Sequence, residues 1–172
     1  MQRDSQENAH AYRIRPAVAD EAPAMVALSE QKRTQYAAFQ PVFWRKAANA
    51  AEVQTAHFRR LLNQDNVLAL VAAQEDKPSA PLLGFVIATL IPAPPVYDPG
   101  GLTCVIDDFC VADEGAWQTV GRVLLDAVTE QAVTRGAVQV VVVCGHLDEP
   151  KRAMLREAGL RIASEWYVKP IA

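Results

Sequence analysis

Two adjacent acids, Asp107 and Asp108, are the residues of this chain best suited to chemistry. They lie within the run "LTCVIDDFCV", whose apolar pattern predicts a strand over 102–111. Successive side chains of a strand point to opposite faces, so we expect the two carboxylates to lie on opposite sides of a sheet. A carboxylate held beside a reacting amine can remove its proton and so act as a general base.

A turn and an amphipathic helix follow the acidic strand. The helix is predicted from one apolar stripe, and Gly136 stands at the position expected just after its end. The stripe comprises Trp117, Val120, Leu124, Val128 and Ala132. A strand, a tight loop and a helix N-terminus together often hold a phosphate, because free N–H groups and the helix dipole favour negative charge.

The cysteines and histidines do not form a recognisable reactive set. Cys104, Cys110 and Cys144 lie in apolar runs without C-x-x-C spacing, which is typical of reduced, buried thiols. No histidine stands at a spacing that would activate Cys110 as a nucleophile. The histidines His10, His57 and His146 show no metal-ligand spacing, and we predict no metal site.

Aromatic residues indicate where an acceptor substrate could bind. They cluster around Pro41 and occur again in the proline-rich loop "PAPPVYDPGG". Aromatic clusters are more often core, but prolines favour loops, where binding residues concentrate. We therefore predict an acceptor site between the first two helices, closed by the proline-rich loop. Its residues are Tyr36, Phe39, Phe43, Trp44 and Tyr97.

Length and composition indicate one globular domain. The chain has 172 residues, is 51% apolar and carries a net charge of −3, which disfavours a general nucleic-acid or anionic-membrane binder. No stretch is apolar enough for a signal peptide or a membrane span, so we expect a cytoplasmic protein. Residues 1–11 are polar and aperiodic and are predicted to form a disordered tail, with a single domain over 12–172.

The periodicity predicts the element order β-α-α-β-β-β-α-β-α-β, an α/β fold with a mixed sheet. The first helix is predicted from an N-cap at Asp20 to about Gln31. The β-branched run "AVQVVVV" is typical of a strand covered on both faces. The ending "RIASEWYVKPI" alternates like a final strand, which could pair across a homodimer.

This order, together with "IDDFCV" and "GRVLLDAV", resembles the GNAT superfamily of N-acetyltransferases. The resemblance covers nearly the whole chain, from "YRIRPAVADEAPAMVAL" to "EWYVKPI". It implies a mixed central sheet of six to seven strands flanked by about four helices. It also implies that acetyl-CoA lies in a cleft where two parallel strands splay apart, with its pyrophosphate on the helix start.

The resemblance assigns roles to the strand and to the turn. It implies that Asp107 is the base, with Asp108 as the second candidate. Backbone N–H groups of Phe109, Cys110 and Val111 would bind the thioester carbonyl and the pantetheine arm. The pyrophosphate would bind backbone groups of Gln118, Thr119, Val120, Gly121 and Arg122.

Several residues depart from the family pattern. The loop pattern Q/R-x-x-G-x-G/A has Ala116 at its basic position and Thr119 at its middle glycine, and only Gly121 remains. The "LYxxxGF" motif places Leu155 where the family has a proton-donating tyrosine, and Asp148 where it has an asparagine.

We therefore expect an acyl-CoA-dependent N-acetyltransferase acting on a small-molecule or peptide amine. The alternative is a catalytically impaired GNAT-fold module that senses a ligand or binds a partner. A doubly wound nucleotide-binding domain is disfavoured by the hairpin before the acidic strand and by the lack of G-x-G-x-x-G.

Overall fold

The computed structural model describes residues 12–75, 77 and 79–171, so the predicted tail over 1–11 lies outside the described residues. The strands are β1 (Tyr12–Pro16), β2 (Val67–Gln74), β3 (Gly84–Ile91), β4 (Leu102–Val111) and β5 (Ala137–Val142). The α-helices are α1 (Ala22–Phe39), α2 (Ala50–Leu61), α3 (Val120–Thr134) and α4 (Glu149–Glu157). Short 3-10 helices cover Ala19–Glu21 and Glu114–Gln118.

The strands form one mixed sheet in the order β1-β2-β3-β4-β5. Its first four strands pair antiparallel, and β5 pairs parallel to β4 after the crossover through α3. The predicted hairpin and crossover are thus confirmed. The described residues contain five strands rather than the six to seven expected, because the chain after α4 adds none.

Helices cover both faces of the sheet. On one face α1 and α2 cover a cluster that includes Phe58 of α2 and Phe85 of β3, while on the other α3 and α4 cover a cluster that includes Ile106 and Phe109 of β4 and Leu124 of α3. Burying apolar surface on both faces of a sheet is what stabilises such a layered arrangement. Within the part of the chain that the structure describes, no helix is long and apolar enough to cross a membrane.

The first helix is longer than predicted. A 3-10 turn containing Asp20 precedes it, so Asp20 is not its N-cap, and α1 continues to Phe39. Gln40 then takes an extended conformation, with φ −149° and ψ 91°, as sterics require of a residue before a proline. Pro41 therefore ends the helix, and Tyr36 and Phe39 are helical rather than part of a loop.

The two predictions for the C-terminal strands were wrong. β5 is the edge strand of the sheet and is not covered on both faces, since Val138 and Val141 are 53% and 41% exposed. Residues 161–171 are exposed and form no strand, although their alternation predicts one. A strand needs a neighbour to satisfy its backbone, and within the described residues this segment has none.

β4 contains a bulge at the acidic pair. Ile87 pairs with Asp108 and Ala88 pairs with Ile106, so Asp107 is an extra residue without a partner on β3. A bulge breaks the two-residue alternation of a strand. As a result, Ile106 and Phe109 both face α3, although they are three residues apart.

Candidate active site

A gap opens between the two parallel strands of the sheet. β4 and β5 pair from Leu102–Ala137 to Ile106–Val142, and the Val143 N–H donates to the Ile106 carbonyl at 2.9 Å. Beyond that bond the strands are not paired within the described residues, although β4 continues to Val111. The backbone of the second half of β4 thus faces an open space.

Alternation along β4 decides which backbone groups face this gap. The Ala112 N–H donates to Leu83 on the β3 side at 2.9 Å, so in an antiparallel ladder Cys110 also bonds toward β3. The backbone groups of Phe109 and Val111 then point the other way, toward β5. Of the three predicted backbone donors, Phe109 and Val111 face the gap and Cys110 does not.

The two acids lie in different environments. Asp107, on the bulge, is exposed, whereas Asp108 is half-buried on the face covered by α1 and α2. Gln54 of α2 donates to the Asp108 Oδ1 at 3.2 Å. Burial raises the pKa of Asp108, as does the charge of Asp107, while Lys32 and other cations oppose the rise. Of the two acids, Asp108 is therefore the one whose pKa the fold raises.

Trp117 turns inward from the loop that precedes α3. Its ring is 5% exposed and packs edge-on against Phe109, with centroids 4.9 Å apart. A Cβ on Gly121 would lie 2.6 Å from the Trp117 Cε3. The glycine thus makes room for the indole, which covers Gly121 in the first turn of α3.

The start of α3 keeps free backbone donors. The N-cap residue Thr119 makes no side-chain capping bond, and Gln118 and Thr119 are both exposed. The first-turn N–H groups of Val120, Gly121 and Arg122 have no acceptor within the helix. The Arg122 side chain pairs with Asp126 at 2.9 Å. These residues fit an anion such as a diphosphate at Gln118, Thr119 and Arg122, whereas Val120 and Gly121 are buried.

A buried lysine bridges the gap. The Lys151 Nζ donates to the Val143 carbonyl at 3.0 Å and to the Phe109 carbonyl at 3.4 Å, and its side chain is fully buried. It lies over the rings of Phe109 and Trp117, 5.1 and 5.3 Å from their centroids. Lys32 of α1 donates to the same Phe109 carbonyl at 3.2 Å. Two ammonium groups therefore meet at one backbone oxygen.

A cavity of about 180 Å³ lies between α1, the end of β4 and the Glu114–Gln118 turn. Its lining includes Lys32, Cys110, Val111, Trp117 and Asp148. Cys110 lies within the core, and burial raises its pKa, so its thiol stays protonated. The cavity connects the predicted cofactor-binding residues Cys110 and Val111 with Lys32.

Four of the predicted acceptor residues form one cluster. The Tyr36 ring lies 5.7 Å from Phe39 and 5.1 Å from Trp44, and Phe43 contacts Trp44 at 4.6 Å. Tyr36 itself is buried, and its hydroxyl donates to the Asp148 Oδ2 at 2.6 Å. The exposed parts of the cluster are thus Phe43 and the edges of its neighbours.

Tyr36 also accepts a hydrogen bond from the Gly145 N–H at 3.0 Å. A Cβ on Gly145 would lie 2.9 Å from the tyrosine ring, so only glycine fits there. Burial and the nearby Asp148 raise the Tyr36 pKa. This tyrosine thus ties α1 to the N-cap of α4.

Tyr97 lies apart from the other aromatic residues. Its ring is 72% exposed in the loop that leads into the start of β4, at the opposite end of that strand from Val111. Within the described residues no aromatic contact joins it to the cluster. The structure therefore does not bring Tyr97 together with the gap.

Sequence reasoning missed Lys151, Lys32 and Gln54. A signal for Lys151 was present, because it shares the helical spacing of the buried residues Met154 and Leu155 in α4. A lysine on an apolar face is a position to examine for function. The described residues contain no cluster of potential metal ligands.

The sequence matches no protein-family model, and a search of curated proteins finds no significant match. Solved structures, in contrast, match along almost the whole chain. A mutant of the BH1408 protein from Bacillus halodurans is 15% identical with a TM-score of 0.79, covering 93% of this chain and 99% of that one.

Two further structures carry descriptions of activity. A predicted acetyltransferase with acetyl-CoA from Clostridium acetobutylicum is 15% identical, has a TM-score of 0.70 and covers 93% of this chain and 96% of its own. An aminoglycoside N-acetyltransferase, AAC(6')-Iy, in complex with CoA is 12% identical, with a TM-score of 0.70 and coverage of 96% and 97%. At these identities the likeness concerns architecture, and the chain has the fold of the GNAT-type N-acetyltransferases.

Proposed function

We propose that the protein transfers an acetyl group from acetyl-CoA to a primary amine, by direct attack of the amine within a ternary complex. The observation that carries the proposal is the gap between β4 and β5, which ends at the uncapped start of α3. Backbone groups along one side suit the amides of a pantetheine arm, and helix N–H groups suit its diphosphate.

In the proposed reaction the cosubstrate supplies the acyl group as a thioester. Asp108 is the better candidate for the base, because it is half-buried beside cations while Asp107 faces solvent. It would take the proton from the amine nitrogen. The N–H groups of Phe109 and Val111 would stabilise the negative charge that develops on the carbonyl oxygen.

The acceptor is proposed to be a cationic small-molecule amine, with a peptide amine as the alternative. The structurally similar proteins include aminoglycoside acetyltransferases, and the net charge of −3 mildly favours cations. The exposed ring of Phe43 beside Trp44 offers an aromatic surface for such a ligand.

Calorimetric titration with acetyl-CoA tests this proposal. We expect a dissociation constant in the micromolar range, and weaker binding of S-acetylpantetheine, which lacks the diphosphate that the start of α3 would hold. Release of free thiol in the presence of a panel of primary amines would then identify the acceptor class.

A non-catalytic GNAT-fold module is the second candidate, favoured by Leu155, which cannot donate a proton. It predicts that CoA binds without turnover of any amine, or that no heat is released at millimolar CoA. Either result would contradict the enzyme proposal.

We also propose that the protein forms a homodimer. β5 has a free edge within the described residues, and the segment 161–171, here named the C-terminal arm, is exposed and without a backbone partner. Two copies would each offer one edge and one arm, which is the self-complementarity that a two-fold dimer requires.

A further inference from the structure

Lys151 lies at a position where burying a lysine costs free energy. Its side chain is fully buried and its ammonium group lies in the gap between β4 and β5, bonded to the Phe109 and Val143 carbonyls. A methionine would fill a similar volume without the cost of removing an ammonium from water. The position therefore needs a reason beyond packing.

The charges around Lys151 make that cost larger. Lys32 donates to the same carbonyl oxygen, so two cations are held close together. Within the part of the chain that the structure describes, neither lysine forms a salt bridge. Two ammonium groups at one carbonyl oxygen, with Lys32 lining the cavity, are suited to an anion that is present only during a reaction.

Acyl transfer from a thioester generates such an anion. When the amine nitrogen forms its bond to the carbonyl carbon, the carbon–sulfur bond breaks and the electron pair stays on sulfur. The thiolate needs a proton or a nearby positive charge, and Leu155 can supply neither.

We propose that Lys151 is the general acid of the transfer, holding at Nζ the proton that the sulfur receives. The inference rests on the acetyltransferase function proposed above. In the balanced step, the amine nitrogen loses its proton to Asp108, carbon–nitrogen bond formation accompanies carbon–sulfur cleavage, and one proton passes from the Lys151 ammonium to sulfur. Lys151 then regains a proton from solvent in the cavity.

The titratable groups that face Lys151 come from every element around it. They are Lys32 of α1, Asp108 and Cys110 of β4, Cys144 after β5, and Asp148 at the start of α4. Burial, with the charge of Lys32, lowers the Lys151 pKa to about 7, and the acidic groups oppose that shift. An ammonium group of this acidity gives up its proton to a thiolate readily near neutral pH.

The test measures kcat across pH, because a general acid must hold its proton to act. We compare the wild type, the similar-sized variant Lys151→Met, and Lys77→Met as a control at an exposed lysine in the β2–β3 turn. As the pH rises through the Lys151 pKa of about 7, the wild-type kcat should fall by about tenfold per pH unit, and this fall should be absent from Lys151→Met. Lys77→Met should match the wild type.

The magnitude of kcat supplies a second measurement. Lys151→Met should lower kcat by about 100-fold and leave the KM for acetyl-CoA unchanged, as expected when only a transition-state interaction is removed. A fall in kcat at high pH that persists in Lys151→Met, with CoA bound to both proteins, would overturn the assignment while leaving the acetyltransferase proposal intact.

The remaining outcomes are also decisive. If the wild type does not bind CoA, the proposed function itself fails and the assignment fails with it. If Lys151→Met does not fold, the wild type alone suffices, because its kcat must fall as the pH rises above about 7. A wild-type kcat that stays constant above that pH overturns the proposal.

Discussion

Asp108 receives its properties from a single irregularity in β4. The bulge at Asp107 directs the Asp108 side chain to the face under α1 and α2, where Gln54 donates to it at 3.2 Å. Burial raises its pKa, so the carboxylate binds a proton more readily than one in water would. A base of this kind gains driving force for proton removal, because its conjugate acid is weaker.

We expect Asp108→Asn to lower kcat by about 100-fold or more without weakening acetyl-CoA binding. Because the base must be ionised, the wild-type rate should fall as the pH drops through the raised Asp108 pKa, above the usual carboxyl range. Rate–pH profiles and calorimetry check both points. Asp107→Asn is the matched control, and a larger loss there would return the role to Asp107.

At this scale the sequence predicted the residue types but not their roles. The pair Asp107–Asp108 was identified from the strand, yet the side chain that reaches the interior depends on where the bulge lies. A bulge depends on pairing with β3, which is a tertiary property. The pairing of Lys151 with Phe109 likewise joins residues far apart in the chain.

At the scale of elements, the start of α3 is shaped by packing between Trp117 and Gly121. The indole fills the space that a side chain at position 121 would need, and Val120 and Gly121 are buried beside it. The residues exposed at this helix start are Gln118 and Thr119. The glycine serves the tryptophan rather than the ligand directly.

Gly121→Ala should destabilise the protein by about 1–2 kcal/mol, because overpacking against Trp117 outweighs the helix propensity gained. Urea denaturation with unchanged m-value measures this difference. The double variant Trp117→Leu/Gly121→Ala should lose less than the sum of the single variants. A stabilised Gly121→Ala protein would show that the indole does not depend on this glycine.

The elements that periodicity predicted best are those with one strong apolar stripe. α3 begins at Val120 and its Gly136 has a φ of 86°, as expected of a helix stop. α1 was predicted too short because its second half carries aromatic residues that contact the turn beyond Pro41, as Tyr36 does with Trp44. The spacing of apolar residues along a helix does not predict that contact.

At the scale of the whole molecule, the sheet ends in an exposed edge. β5 shows Val138 and Val141 to solvent, and the C-terminal arm carries Trp166 and Ile171, which are 83% and 91% exposed. The arm contacts the rest of the chain through Trp166, whose ring lies 5.9 Å from Phe43. Apolar surface of this kind on both edge and arm favours association.

Ending the chain after Leu160 should convert a dimer to a monomer, since it removes the arm that would pair with the partner's β5. Light scattering after size-exclusion chromatography measures the mass, and circular dichroism should show the helices retained. Trp166→Ser, which keeps the backbone of the arm, serves as the control and should remain dimeric. A monomeric full-length protein would contradict the proposal.

The bulge at Asp107 also affects which deletions in β4 the fold can accept. Ile106 and Phe109 are three residues apart and still reach the same core, because Asp107 bulges out of the alternation. Deleting Asp107 alone would remove the bulge and leave Ile106 and Phe109 two residues apart, so Phe109 would still face α3 and Cys110 would still face α1. A deletion at Asp107 therefore preserves the facing of the rest of β4, whereas a deletion elsewhere in the strand would reverse it, and an alignment with distant relatives can place a gap at this residue.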